Sequence, residues 1–149
     1  MEILALDPGA KNCGWAYLKR DGISCFTHEP WQAVEWFDDL IEQHGMRPEV
    51  VVMEQWVSYP HANAGNAWQQ LTEVRVLGCI EFICRKNGIS FVFQPTGILT
   101  PTMARATANG YKWTASNRDE KAAETHLYHY LGLGLGLENA IIDEIGEWK

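Results

Sequence analysis

Two short apolar runs each stop on a single acid: Ile3-Leu4-Ala5-Leu6 on Asp7, and Val50-Val51-Val52-Met53 on Glu54. A continuous apolar run of this length predicts a strand buried on both faces, as in a sheet with helices on either side. The chain is thereby directed toward an α/β architecture. It also carries two carboxylates at equivalent strand ends, where open α/β sheets gather their ligand sites. Taken alone, Asp7 has three open roles: former of an Asp-Pro-Gly turn, phosphate-loop residue or metal ligand. Glu54 alone could simply end its strand.

The rest of the chain supplies matching elements. Asn12 to Lys19 and Ile23 to His28 read as two strands, and Asp21-Gly22 between them is a hairpin signal. Strands one to three are therefore expected to form an antiparallel meander. Trp31 to His44 places Val34, Phe37, Leu40 and Ile41 at helical spacing, and Gly45 closes it. A polar loop over Ser58 to Asn66 leads to a long helix from about Asn66 to Lys86, stopped by Asn87-Gly88. Ile89 to Phe93 is the next strand, ended by Gln94-Pro95. Thr96 to Asn117 reads as a loop with a short helical turn, and Arg118 to Leu131 as a helix. The Gly-Leu alternation from Gly132 to Leu137 reads as a flexible connector before a last helix at about Asn139 to Trp148. The order predicts one mixed α/β domain over residues 1–149, with the later strands parallel.

Composition narrows the class. With 149 residues, seven Trp and 46% hydrophobic content, the chain can bury a real core. No apolar run reaches the roughly 18 residues that span a membrane, and no basic-then-apolar segment opens the sequence. Cys13, Cys25, Cys79 and Cys84 have neither CxxC spacing nor adjacent His, which fits a reducing, cytoplasmic setting rather than zinc or disulfides. The net charge of −7 argues against a generic nucleic-acid binder. Its distribution does not: from Phe82 to Arg118 there is no acid, while Arg85, Lys86, Arg105, Lys112 and Arg118 fall inside. One basic segment between acidic flanks is either ordinary surface charge or a side that faces a polyanion.

If the first and fourth strands are neighbours, Asp7 and Glu54 converge. Paired carboxylates repel, which raises a pKa or recruits a cation. Hard divalent ions take oxygen ligands, and two such ions about 4 Å apart suit in-line phosphodiester hydrolysis.

The segments ALDPGAKNCGWA, VVVMEQ, a long helix with small residues from Leu71 to Gly78, FQPTGI and RDEKAAETHLYHYLGL occur in this order. In this order they resemble RuvC-type Holliday junction resolvases, as a divergent member of the small phage type, from Ile3 to about Leu133. The opening Asp-x-Gly alone recurs across ribonuclease H-like and actin-like folds; the combination is more specific. The resemblance implies a ribonuclease H-like fold, a five-stranded mixed sheet flanked by helices. It implies a homodimer acting in recombination and repair on four-way or otherwise branched DNA. Each subunit would cut one strand by hydrolysis dependent on Mg²⁺ or Mn²⁺, two ions per site, in the cytoplasm of a bacterium or a phage-infected host.

On that resemblance Asp7 and Glu54 match the first two acidic ligands, and Lys121 a basic residue close to DNA phosphates. Lys112 and Arg118 sit in the neighbouring basic loop. The family closes with an acid or His followed three residues later by Asp. Here Asp143 matches the final Asp, Ala140 stands where the acid or His is expected, and Glu147 is a possible substitute. Trp56 and Tyr59, in a loop with His61, are candidates for stacking on an unpaired base; core packing is the alternative for Trp56. Asp119, Glu120 and Glu124 read as helix N-terminal charges. His126 and His129 read as ordinary surface or packing residues, and Leu71, Val74 and Leu77 as a buried or dimer-facing stripe.

Other readings stay open. One is a different ribonuclease H-like nuclease, such as the ribosomal-RNA-processing type, and another is a non-catalytic junction-binding protein. An actin-like ATP-binding unit needs two such domains and a second phosphate loop, which the sequence does not contain.

Overall fold

The computed structural model describes the chain over residues 1–55 and 64–135, with side chains over 1–55 and 71–132. Five strands form one sheet: β1 (Ile3–Asp7), β2 (Cys13–Lys19), β3 (Gly22–His28), β4 (Val50–Glu54) and β5 (Ser90–Gln94). Their order across the sheet is β3-β2-β1-β4-β5. The first three run antiparallel as a meander, and β4 and β5 add in parallel to β1. The four helices are α1 (Pro30–Glu42), α2 (Ala64–Asn87), α3 (Leu99–Ala108) and α4 (Arg118–Leu135). The five-stranded mixed sheet expected from sequence is present.

The apolar runs are continuous because each face of the sheet has its own core. Leu4, Leu6, Val51 and Met53 pack with Phe37 of α1 and Val76 and Ile80 of α2. The alternate residues Ile3, Ala5 and Val52 pack with Ala123, Leu127 and Leu131 of α4. This period-2 division places α1 and α2 on one face and α4 on the other. Trp15 anchors the first core, its ring 5.1 Å from Trp36 and 6.1 Å from Phe26. The hairpin between β2 and β3 turns at Arg20-Asp21. Gly22, at φ +132°, pairs with Lys19 and takes the backbone conformation that a side chain would resist. Helix α1 starts with a capping box between Glu29 and Gln32, with Pro30 in its first turn.

Two expectations are corrected. The stretch after β5 is more helical than a loop, with a 3-10 turn at Thr96–Ile98 leading directly into α3. Thr102 and Ala106, four residues apart, are its buried face, and α3 packs on α4 through residues too small to give a strong apolar signal. The Gly-Leu alternation also does not begin a connector at Gly132, since α4 continues to Leu135. Leu131 is locked into the core, and this packing overrides the low helix propensity of glycine. The expected last helix, with Ala140, Asp143 and Glu147, lies outside the described residues, as do Trp56, Tyr59 and His61.

Candidate metal and nucleic-acid site

Strands β1 and β4 are parallel neighbours with Leu6 paired to Met53, so Asp7 and Glu54 emerge side by side at one end of the central strands. Their carboxyl groups are hydrogen bonded to each other. Burial is the largest influence on Asp7 and raises its pKa well above 3.8; the charge and hydrogen bond of Glu54 raise it further, followed by the charges of Asp119 and Glu73. Burial also acts to raise Glu54, but hydrogen bonds from His126, Thr96 and Asp7, with the charge of His126, hold it below the ordinary carboxylate range. The proton therefore sits on Asp7, which donates to Glu54.

Both oxygens of Glu54 are anchored by other elements. Thr96 Oγ1 donates to Oε1 at 3.1 Å, and His126 Nε2 lies 2.9 Å from Oε2. Thr96 follows β5, the parallel neighbour of β4, where Glu54 pairs with Gln94. Gln94 in turn meets His126 Nδ1 at 2.9 Å. His126 is fully buried, which removes the surface alternative from its reading and leaves a buried residue with both ring nitrogens engaged. His129 contacts Thr102 of α3 at 3.1 Å.

Helix α4 crosses the strands at this end of the sheet. Its first turn lies on Gly14 of β2, the residue paired with Asp7, so closely that a Cβ on Gly14 would fall on the Asp119 backbone carbonyl. Seven residues later His126 reaches Glu54 on β4. Seven residues rise about 10 Å along a helix, which matches two strand spacings of about 4.8 Å each. Asp119 and His126 therefore share a helix face two turns apart, and Asp119 lies within electrostatic range of Asp7. Glu73 of α2 approaches from the other side; burial first, then the charge of Glu54, raise its pKa. Sequence reasoning missed Asp119, Glu73, Thr96, Gln94 and His126 as neighbours of the acid pair. The seven-residue interval between Asp119 and His126 was the available signal.

The other two acids of α4 are not simple helix-end charges. Glu124 is fully buried and accepts from Tyr111 Oη at 2.8 Å, the Thr114 backbone N–H at 3.0 Å and the Ala115 N–H at 2.8 Å. Glu120 accepts from Thr27, Ser116 and Asn117. Burial acts to raise its pKa, but these hydrogen bonds, with that of the Ser116 backbone, carry it below the usual range. Together the two carboxylates fasten the segment from Tyr111 to Asn117 onto α4. That segment presents Lys112, and Arg118 follows it; both are exposed. Lys121 Nζ lies 5.0 Å from the centre of the Trp113 ring.

Among the described residues no group of three His, Cys, Asp or Glu closes to metal-binding distance. The donors present nevertheless fit a hard divalent cation. They are carboxylate oxygens, and two of them touch through a proton whose position a cation could take. Asp119 and Glu73 add negative potential around that point.

No protein-family model and no curated protein sequence matches the chain. Solved structures do. RuvC of Thermus thermophilus in complex with a Holliday junction substrate aligns with a TM-score of 0.61 at 14% identity, covering 100% of this chain and 98% of that one. A second Thermus thermophilus RuvC structure aligns at 0.63 and 12% identity, covering 91% and 97%. At these identities the likeness establishes architecture: the chain has the ribonuclease H-like α/β fold of the RuvC structures.

Proposed function

We propose that this protein is a divalent-metal-dependent endodeoxyribonuclease, a hydrolase that selects branched DNA and cleaves four-way junctions as a homodimer. The observation that carries the reading is the contact between Asp7 and Glu54 at the ends of adjacent parallel strands. Two carboxyls placed there repel when both are ionised, and a cation removes that cost. The fold supports the junction as substrate class, because a RuvC with the same architecture was solved on a Holliday junction.

In this reading Asp7 and Glu54 hold Mg²⁺ or Mn²⁺, two ions per site being what the family resemblance implies, and Asp143 is the proposed third ligand from the closing sequence motif. Bound there, the metal supplies Lewis-acid stabilisation of the charge that develops on a phosphodiester undergoing hydrolysis. The protein's own contribution is placement. Thr96 and His126 fix the Glu54 carboxylate, while Asp119 and Glu73 hold the local potential negative. Lys112, Arg118 and Lys121 attract DNA phosphates, which gives affinity without reading sequence. Trp56 and Tyr59 are the proposed stacking partners for an unpaired base.

A cleavage panel of four-way junctions, flaps, duplex DNA and structured RNA, run with Mg²⁺ and with Mn²⁺, tests this. Preferential cutting of the four-way junction is expected, and equal or greater cutting of duplex or RNA would overturn the assignment. A second reading, non-catalytic junction binding, rests on Ala140 standing where the family pattern has an acid or His. It predicts tight binding to the same junctions with no cutting at any divalent-ion concentration.

A further inference from the structure

We propose that His126 is a positioning residue whose Nε2–H locks the Glu54 carboxylate into the orientation that receives a divalent cation, with Gln94 holding the imidazole ring. The inference rests on the metal-site reading above and assigns a role to a side chain that the chemistry does not itself require.

The geometry is specific. His126 has no exposure to solvent, and each ring nitrogen is engaged at 2.9 Å, one by Gln94 and one by Glu54. A carboxylate only accepts, so Nε2 carries the hydrogen toward Glu54. Gln94 satisfies Nδ1 in either protonation state of the ring. Its amide can offer oxygen to an N–H or, turned over, an N–H to a lone pair. The hydrogen bond to Glu54 therefore persists whichever state the ring takes.

The terminal torsion of a glutamate is broad, so one anchor leaves the carboxylate plane free to turn. Here Thr96 holds Oε1 and His126 holds Oε2, from separate elements, and the plane is fixed. Outer hydrogen bonds of this kind typically change metal affinity by about 10–100-fold when removed. A buried histidine that merely filled space would show no such effect on a metal.

Two polar, uncharged substitutions separate these roles. His126→Asn places its amide near the Nδ1 position, keeping a partner for Gln94 and losing Glu54. His126→Gln reaches the Nε2 position and keeps a donor for Glu54. Mn²⁺ binding, measured on purified folded protein by paramagnetic resonance and calorimetry, should weaken about 10–100-fold in His126→Asn. It should return to within about threefold of the unsubstituted protein in His126→Gln, a small part of that same loss. Unchanged binding in His126→Asn, or equal weakening in both variants, overturns the proposal. Failure of both to fold also overturns it, by making His126 a structural residue. Unsubstituted protein that binds no Mn²⁺ removes the site itself. Protein that binds Mn²⁺ with the expected pattern but cuts no DNA overturns the nuclease reading alone.

Discussion

Asp7 and Glu54, on neighbouring parallel strands, share one hydrogen bond between two carboxyl groups. Holding them together requires either a proton or a cation, and this dependence has a sign. Burial and the charge of Glu54 raise Asp7 above its ordinary value of 3.8, so above that pH the native state binds more protons than the unfolded chain. Stability of the metal-free protein therefore falls as pH rises through the window between the unfolded and native pKa values of Asp7. Asp7→Asn keeps the shape and a donor toward Glu54 while removing the titration. In a chelator at about pH 8 it should be the more stable protein by on the order of 1 kcal/mol or more. The advantage should shrink as pH falls below about 3, where Asp7 is protonated in both states. On the nuclease reading, junction binding without metal should survive and cleavage should be abolished. Denaturant midpoints across this range are the measurement; a pH-independent difference would show that the two acids are uncoupled.

Gly14 controls how closely α4 approaches Asp7. A methyl group there meets the backbone of Asp119 and Glu120, which cannot rotate aside as a side chain could. Gly14→Ala should cost about 1–3 kcal/mol of stability and weaken divalent-ion binding by displacing Asp119. Gly78, in α2, has open space where its Cβ would stand. Gly78→Ala should stabilise the protein by about 0.5–1 kcal/mol with metal binding unchanged, so the pair separates a close approach from a generic glycine effect.

These contacts mark the boundary of what the sequence reveals. The strands carrying Asp7 and Glu54 were legible because a sheet covered on both faces needs uninterrupted apolar runs, and the acids interrupt them at matching ends. The Asp21-Gly22 hairpin was legible because its backbone conformation restricts residue choice. The roles of Glu124 and His126 were not, since a polar residue on a core-facing helix position has no pattern of its own until its partners are known. Those partners, Tyr111, Thr114, Gln94 and Glu54, come from segments up to 72 residues away in sequence. Helix α3 was missed for a related reason: its buried residues, Thr102 and Ala106, are too small to stand out as an apolar face.

Glu124 carries a stability prediction. Replacing it with Ala removes the acceptor shared by the Cys25 thiol, Tyr111 Oη and the backbone N–H groups of Thr114 and Ala115, all part-buried contacts. An orphaned buried donor costs about 1–3 kcal/mol, and water reaches part of this segment, so Glu124→Ala should lose about 1–3 kcal/mol in all. Hydrogen exchange at Thr114 and Ala115 should accelerate more than in β1 or β4. Uniform acceleration across the sheet would instead mean that Glu124 supports the whole fold rather than the 111–117 segment.

Lys121 stands in the first turns of α4, above the Trp113 ring that the fastened segment presents. On the nuclease reading its ammonium group neutralises a DNA phosphate, and each such contact adds about 0.7–0.9 to the slope of log affinity against log salt. Lys121→Ala should therefore weaken junction binding uniformly across sequences and flatten that slope by about this amount. Lys19 provides the comparison. It sits at the far end of β2 over the Tyr17 ring, at the opposite end of the strands from Asp7. Lys19→Ala removes the same charge and should leave the slope unchanged. Binding isotherms over a salt series decide the matter: equal flattening by both variants would mean that DNA senses only net charge, and no flattening by Lys121→Ala would place the DNA path away from α4.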